Sequence, residues 1–563
     1  MRQDVRVAEV HPRFDPATPA AAARGRDAGR EMAGPFLTEG LLFRKHCGFL
    51  DLSLKDWQAI QDHLMAEQLE LLHRSPWRHY LLGGASFRSV EHFRAQVPLT
   101  TYDHYAPYVR DEALLPSPVQ QWAYTTGPRG AAKWVPYTQR ALERVADDAM
   151  AAFILAAADG RGKVLVGEGD RVIYNVAPPP YLTGLIARVL QARFALRSLP
   201  PLSEAEGMAF HQRLERSFRM ALRSGADVVC SLSSVLIRMG EYLERRSAEG
   251  GPHRVDWHPT ALLRQARAGV TSWLGHRPVL PRDLWRVKAV IGWGLDTSLY
   301  RHRIAHYWGR EPYEFHACTE AGILGMQAWN RKGLTPVPYA AFLEFLPEAE
   351  AHALDRDPAL PARPRLLEEV APGERYEVVL SSFYGMPFVR YRTGHLVRIL
   401  ARDDPQTGVH LPQFQFVGRT GDVIDLAGFT RLDEKTLWEA IAHSPLAYTE
   451  WTARKEFHDG QVALHLYLEW PAEVPLEEVA ERLHQALKDL DPSYRDLEEM
   501  LGLRPLRVTA LPPGTFRRWP ERQSERSGGL EALRFPRMGP APHLLDALLH
   551  ASVEARRNGR EAH

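Results

Sequence analysis

Thr125-Thr126-Gly127-Pro128-Arg129-Gly130-Ala131-Ala132-Lys133 is the stretch on which the reading of this chain turns. Hydroxyls, glycines and a lysine in one turn are what a string of phosphates needs. Backbone N–H groups approach an anion closely only where side chains are small, and the lysine adds a point charge. No Gly-Lys-Ser/Thr ends the loop, so it is not the common nucleotide-hydrolase motif. Taken alone it reads more readily as a surface turn with a stray lysine. Segments far downstream change that reading.

Three of them stand in order. His316-Ala317-Cys318-Thr319-Glu320-Ala321-Gly322 follows the turn Gly292-Trp293-Gly294-Leu295-Asp296. Arg390-Tyr391-Arg392-Thr393-Gly394-His395 leads into an apolar strand, and Val417-Gly418-Arg419-Thr420-Gly421-Asp422 precedes Asp433-Glu434-Lys435. Around them, 563 residues suffice for two to four domains with a sizeable core. A net charge of +1 exerts no long-range pull on nucleic acid or an anionic membrane. Cys47, Cys230 and Cys318 have neither metal nor redox spacing, which fits a reducing compartment. The longest apolar run, Ala149 to Ala158, is too short to span a bilayer. The N-terminal residues show no signal-peptide core, so the expected location is cytoplasmic.

Periodicity supplies an outline. Ser53 with Asp56 predicts a helix start, with Trp57, Ile60, Leu64 and Leu71 on one face. A helix is expected from Gln139 to about Ala158. Beyond it, Lys163–Val166, Arg171–Val176, Asp227–Cys230 and Ala289–Trp293 read as strands alternating with helices such as Gly207–Arg223, an α/β pattern. Phe342–Leu346, Tyr376–Leu380 and Leu396–Leu400 read as further strands. Past Gly418–Gly428 a compact set follows: helix Glu434–Ile441, strand Val462–Leu468, helix Leu476–Leu490 and strand Pro505–Thr509. The expected division is a disordered leader (1–35), a large N-terminal domain (36–420), a small C-terminal domain (421–540) and a charged tail (541–563).

The joint order of these motifs resembles adenylate-forming enzymes, and within them the Gretchen Hagen auxin-responsive family of acyl-acid amido synthetases. Further cues are Phe93 with Val97-Pro98-Leu99-Thr100-Thr101-Tyr102, Phe342-Leu343-Glu344-Phe345-Leu346-Pro347, Tyr376-Glu377-Val378-Val379-Leu380, and Leu511-Pro512-Pro513-Gly514-Thr515-Phe516 before Phe535-Pro536-Arg537. The resemblance covers roughly residues 40–538. It implies an α/β adenylate-forming fold, with β subdomains in the large domain and a mobile small one. It also implies that an acid and ATP give an acyl-adenylate, which an amino acid amine then converts to an amide.

Site residues follow from the same resemblance. Thr125, Thr126 and Gly127 would hold the phosphates with Lys133 close by. Glu320 would bind the Mg²⁺ that bridges phosphate oxygens, and Thr319 would bond AMP or the carboxylate. His316, Tyr391, Arg392 and His395 would line the ATP site, Arg419 would bond ribose or phosphate at the hinge, and Lys435 would swing in against the α-phosphate. A carboxylate beside a phosphate loop suits metal–phosphate binding, and attack on phosphorus calls for cations at the developing charge.

Some positions depart from the family pattern. His395 stands where relatives have aspartate at the ribose contact, and neutral imidazole offers one acceptor where a carboxylate offers several. His316 replaces a tyrosine, Pro128 and Arg129 replace hydroxyl-bearing residues, and Arg534 stands where many relatives carry lysine. Pro128 and His395 motivate the alternative of a non-catalytic relative that binds a carboxylate ligand or a partner protein. Met386-Pro387-Phe388-Val389-Arg390-Tyr391-Arg392-Thr393-Gly394 also resembles phenylacetate-CoA ligases, which would make coenzyme A the acceptor. Val176–Gly184 resembles a family region near the acyl pocket and reads equally as a rigid polyproline-type turn. His302 and His306, spaced i, i+4 without a third ligand nearby, read as structural.

Overall fold

In the computed structural model the described residues are 39–560, apart from 83–86, 88, 116, 127–131, 177–178, 206, 209, 249–256, 294–296, 383–387, 421–422, 427–429, 445–449, 459–460, 471–474, 493, 496–497, 499–503 and 517–534. The expected leader at 1–35 falls outside them.

Ser53 opens the helix Leu54–Arg74, its hydroxyl accepting the Asp56 N–H at 3.1 Å, as its Ser-x-x-Asp spacing predicts. The buried face, however, runs Trp57, Gln61, Leu64, Met65, Gln68, Leu69, Leu72, while Ile60 and Leu71 are only half-buried. Gln61 explains the offset. Its amide donates to the carbonyls of Pro338 and Ala341 at 2.6 and 2.9 Å, and its oxygen accepts the Leu343 N–H at 2.8 Å. A polar side chain thus occupies a core position with its hydrogen bonds satisfied.

The helix Gln139–Ala157 is apolar nearly all round over its second half, the pattern of a helix with no solvent face. It lies in the core and packs against strands of two different sheets. Thr138 caps its start by accepting the Ala141 N–H, and the Arg331 guanidinium donates to the Leu155 and Ala156 carbonyls at its end.

One of those sheets is parallel, in the order Arg197–Ser198, Arg171–Asn175, Val228–Leu232, Ala289–Trp293. The helices Leu182–Phe194 and Phe210–Ser224 lie between its strands in sequence, as expected of an α/β unit. Lys163–Val166 does not form the expected strand. Both edges of Arg171–Asn175 are already paired, and Leu165 is exposed.

The other sheet is antiparallel, in the order Phe342–Pro347, Arg375–Ser382, Phe388–Ala401, Gln413–Arg419, Leu334–Pro336, Gly322–Gln327, Phe315–Cys318. It coils strongly, because His316 on its last strand meets His395 on its third at 3.2 Å. Gly325 permits this curl. A Cβ there would lie 2.3 Å from the Phe414 ring, so only glycine leaves the ring its place inside the bend.

A buried carboxylate fastens this sheet to the N-terminal segment. Glu344 accepts both nitrogens of the Arg390 fork at 2.9 and 3.0 Å and the Arg94 Nε–H at 2.9 Å. Arg390 also donates to the Arg94 and Val97 carbonyls, and it holds a left-handed backbone with φ of 43°. Beside it, Thr100 forms a parallel bridge to Tyr391.

The C-terminal part begins with the hairpin Val423–Leu426 and Thr430–Asp433. A three-stranded sheet follows, Glu450–His458, Gln461–Glu469 and Leu506–Leu511. One face carries Trp451, Ala453, Leu464, Leu466 and Leu468 against the helices Glu434–His443 and Leu476–Leu490. The other carries Tyr467 and Leu511 against Phe516, Phe535, Leu545 and Leu548. The last two correct the expected tail: Pro542–Arg560 is a helix, and its leucines dock on the sheet. Tyr300 meets Trp438 edge-on at 5.3 Å and Arg375 pairs with Asp433 at 3.4 Å, joining this part to the body. Among the described residues no helix is long and apolar enough to cross a membrane.

Removing one member of a buried ion pair leaves the other charge unpaired, at a cost of about 3–5 kcal/mol. Glu344→Ala is therefore expected to lower the unfolding free energy, measured by urea titration with tryptophan fluorescence, by that much. A loss below about 1 kcal/mol would contradict a clamp role, as that is the range of exposed pairs.

Candidate active site

The hairpin Val119–Thr126 and Ala132–Thr138 carries the first motif. Its register sets Lys133 opposite Thr125 and Ala132 opposite Thr126, so both threonines end the strand that enters the turn. Gly127 and Pro128 are outside the described residues. Tyr102 pins the second strand from outside the hairpin, its hydroxyl accepting the Trp134 N–H at 2.7 Å and facing the Trp134 carbonyl at 3.0 Å. Tyr137, on that second strand, reaches out of the hairpin and donates to the Thr319 carbonyl at 2.7 Å.

That second bond brings the hairpin to the turn at Thr319–Ala321, between the strands Phe315–Cys318 and Gly322–Gln327. Glu320 stands on this turn. The Tyr391 hydroxyl joins the two motifs: it donates to Glu320 Oε1 at 2.9 Å and accepts from Lys133 Nζ at 3.3 Å. Lys133 also lies over the Tyr102 ring at 5.4 Å, a cation–π contact. Burial and the Glu320 charge push the Tyr391 and Tyr102 phenols up, so both remain neutral donors.

His316 and His395 form the floor. Their rings meet at 3.2 Å, Nε2 to Nδ1, and His316 stacks on Phe416 at 4.6 Å. Both are buried. Burial first, then the Arg419 charge, lowers His316 to about 3. His395 lies well below its usual range through burial, Arg419, His316 and Lys133. Arg419 pairs with His395 in the strand register and is exposed. The neutral His395 thus sits within the field of Arg419 and Lys133, and neutral His316 within that of Arg419. Such a surface attracts an anion, while Glu320 supplies the hard oxygen that a divalent cation takes.

Not every expected residue joins this group. Arg392 donates to Glu377 at 2.7 and 2.9 Å and to Asp355 at 2.8 Å. Adjacent residues of a strand face opposite sides, so it serves the back of the sheet while Tyr391 serves the site. Lys435 lies in the first turn of its helix, 3.7 Å from Glu439. Burial lowers its amine, and its other charged neighbours are Arg398, Asp433 and Glu314. Among the described residues no contact links it to Lys133, Tyr391 or Glu320. Tyr102 and Tyr137 had no assigned role in the sequence reading. Tyr102 closes one recognised motif and Tyr137 lies just past another, and that proximity was the available signal.

Sequence comparison covers the Lys133 hairpin and the Tyr391–Arg419 strands, while the turn at Thr319–Ala321 falls between the matched ranges. The GH3 family N-terminal domain matches residues 47–166, the GH3 family central domain 334–419 and the GH3 family C-terminal domain 435–540. The chain belongs to the GH3 family. It is 27% identical over 186 residues to the probable indole-3-acetic acid-amido synthetase GH3.12 of Oryza sativa subsp. japonica, covering 29% of this chain and 28% of that protein. It is 23% identical over 284 residues to the indole-3-acetic acid-amido synthetase GH3.10 of Arabidopsis thaliana, 45% of each chain. The matched stretches span less than half the length of these curated GH3 relatives.

Solved structures extend the likeness of fold. The GH3.15 acyl acid amido synthetase in complex with 2,4-DB superposes with a TM-score of 0.67 at 18% identity, over 92% of this chain and 97% of that one. The 2-hydroxyisobutyryl-CoA ligase in its postadenylation state gives 0.59 at 14% identity, over 92% and 96%. The GH3 chain therefore has the adenylate-forming fold, as its motifs implied.

The imidazole pair gives this site a pH signature. Unfolded histidines titrate near 6.5 and bind protons below it, while folded His316 holds off protonation until about 3. Stability contributed by the neutral pair is complete only well above pH 6.5 and falls as the pH drops, by about 1 kcal/mol for each imidazole over the first pH unit below 6.5 and approaching about 1.4 kcal/mol per unit beyond it. Thermal unfolding between pH 6.5 and 5.5 is expected to show this slope in the wild type and a flatter one in His316→Phe/His395→Leu. Parallel slopes would contradict it.

Proposed function

We propose that this protein is an ATP-dependent acyl-acid amido synthetase, adenylating a small carboxylic acid and passing the acyl group to an amino acid. The observation carrying this reading is the convergence of Lys133, Tyr391 and Glu320 from three separate motifs beside a floor under the fields of Lys133 and Arg419. Membership in the GH3 family and the names of its relatives support it.

In the first half-reaction a carboxylate oxygen bonds to the α-phosphorus of ATP, the bond to the bridging oxygen breaks, and pyrophosphate leaves. Two anions approach each other, so charge must be offset where it develops. Lys133 and Arg419 supply that positive field, and Thr125, Thr126 and Gly127 would hold the phosphates. Glu320 would hold Mg²⁺, which would neutralise phosphate oxygens, and Tyr391 keeps that carboxylate in place. Thr319 would bond AMP or the acid. In the second half-reaction an amine attacks the acyl carbon, loses a proton, and AMP departs. Lys435 would reach the α-phosphate only after rotation of the small domain, taken as 421–540, against the body at 36–420.

His395 and His316 give the ribose a single neutral acceptor in place of a carboxylate. Arg392 is committed to Glu377 and Asp355 and would act on the nucleotide only through the strand it steadies. A thiol acceptor, coenzyme A, is the second reading, favoured by the Met386–Gly394 motif.

ATP–pyrophosphate exchange with pooled aromatic, phenolic and fatty acids tests the first step. Acid-dependent exchange is expected, abolished by EDTA and cut at least about 100-fold in Glu320→Ala and Lys133→Ala, the range for loss of one preorganised charge-stabilising group. Silence from folded protein across all pools would overturn the reading. AMP release stimulated by amino acids and not by coenzyme A would fix the acceptor. His395→Asp is expected to tighten ATP binding about tenfold by calorimetry, since a charge-assisted bond is worth about 1.5–3 kcal/mol. Unchanged or weaker binding would contradict a ribose role for this position.

A further inference from the structure

Away from that site, the hairpin Glu450–His458 and Gln461–Glu469 gathers a second cluster. Strand alternation puts Glu456 and His458 on one face, and the register, which pairs Arg454 with His465, adds His465 to it. It is the face whose other end is covered by the Pro542–Arg560 helix. Three ligand-type atoms converge there. Glu456 Oε2 lies 2.7 Å from His465 Nδ1 and 3.0 Å from His458 Nε2, and all three lie within 4.8 Å of one another.

We propose that Glu456, His458 and His465 form a binding site for a divalent transition metal of the Zn²⁺ class. The proposal is independent of the function assigned above. Ligands about 2.0–2.1 Å from a tetrahedral ion stand roughly 3.3 Å apart, so the cluster needs only a small expansion to admit one. Two imidazoles with one carboxylate are the borderline donor set that favours zinc over magnesium or calcium.

The surroundings hold these ligands in place. Thr509 Oγ1 lies 2.7 Å from His465 Nε2, and as acceptor it leaves Nδ1 free as the ligating nitrogen. The Tyr467 hydroxyl donates to Glu456 Oε1 at 2.9 Å, and the Arg454 guanidinium lies 3.4 Å from that same oxygen. Oε2 is left facing the two imidazoles. The Tyr467 ring stacks on His465 at 4.2 Å, and Asp546 of the last helix adds negative charge near Tyr467. Each of the three residues is partly buried. An ion there would cross-link both strands of the hairpin and leave a fourth position for water.

The test is calorimetric titration of the untagged, EDTA-stripped full chain with Zn²⁺ alone, without nucleotide. One equivalent is expected to bind, at least tenfold more weakly in each of His458→Ala, His465→Ala and Glu456→Gln, and unchanged in His306→Ala. His458 is a third exposed and near the hairpin end, so its variant separates metal loss from misfolding, with circular dichroism as the check. X-ray absorption of the zinc-loaded wild type is expected to show a nitrogen and oxygen shell with two imidazoles. No saturable binding, wild-type affinity in folded His458→Ala, or a shell lacking two imidazoles would each overturn the proposal.

Discussion

Two guanidinium groups share one buried carboxylate, and the candidate site depends on that arrangement. Glu344 is almost fully buried, Arg390 nearly so, and Arg94 adds one more hydrogen bond to Oε1 from outside the sheet. Charges that deep persist only when every partner is in place. The clamp forces Arg390 into its unusual backbone and seats the Thr100 segment on the strand beside it. The very next residue is Tyr391. Its hydroxyl therefore arrives between Lys133 and Glu320 because the residue before it is fixed.

Charge balance in the site follows from burial. Lys133 and Arg419 are cations, and nearby imidazoles would repel them if protonated. Burial keeps His316 and His395 neutral, so the floor adds no positive charge of its own. Glu320 is the acidic partner within hydrogen-bonding reach of Tyr391. Such a site combines a positive field with one carboxylate and neutral donors. The same burial separates it from the His458–His465 cluster, where Glu456 faces half-buried imidazoles on another sheet.

Much of this was legible in the sequence. The threonine–glycine–lysine turn, the Thr319–Glu320 turn and the strand at Tyr391 are local patterns, and the helices Gln139–Ala157 and Leu476–Leu490 carry their periodicity on their face. What stayed hidden depends on long-range partners. Nothing near Glu344 announces Arg390, 46 residues away, nor near Tyr137 the Thr319 carbonyl, 182 residues away. Gln61 misled the helix-face reading because its amide is buried through partners some 280 residues distant. Arg392 sits inside a recognised motif, yet strand alternation turns it away from Tyr391. The final helix was obscured by charge, although Leu544, Leu545, Leu548 and Leu549 already had helical spacing.

In the proposed reaction a carboxylate oxygen attacks the α-phosphorus. Supplying an acid labelled with ¹⁸O in its carboxyl group, together with ATP and the amine acceptor, tests it directly by mass spectrometry of the nucleotide product. Attack at the α-phosphorus predicts AMP bearing one ¹⁸O, transferred as the amide forms. Label appearing in inorganic phosphate with ADP, or unlabelled AMP beside labelled amide product, would contradict it.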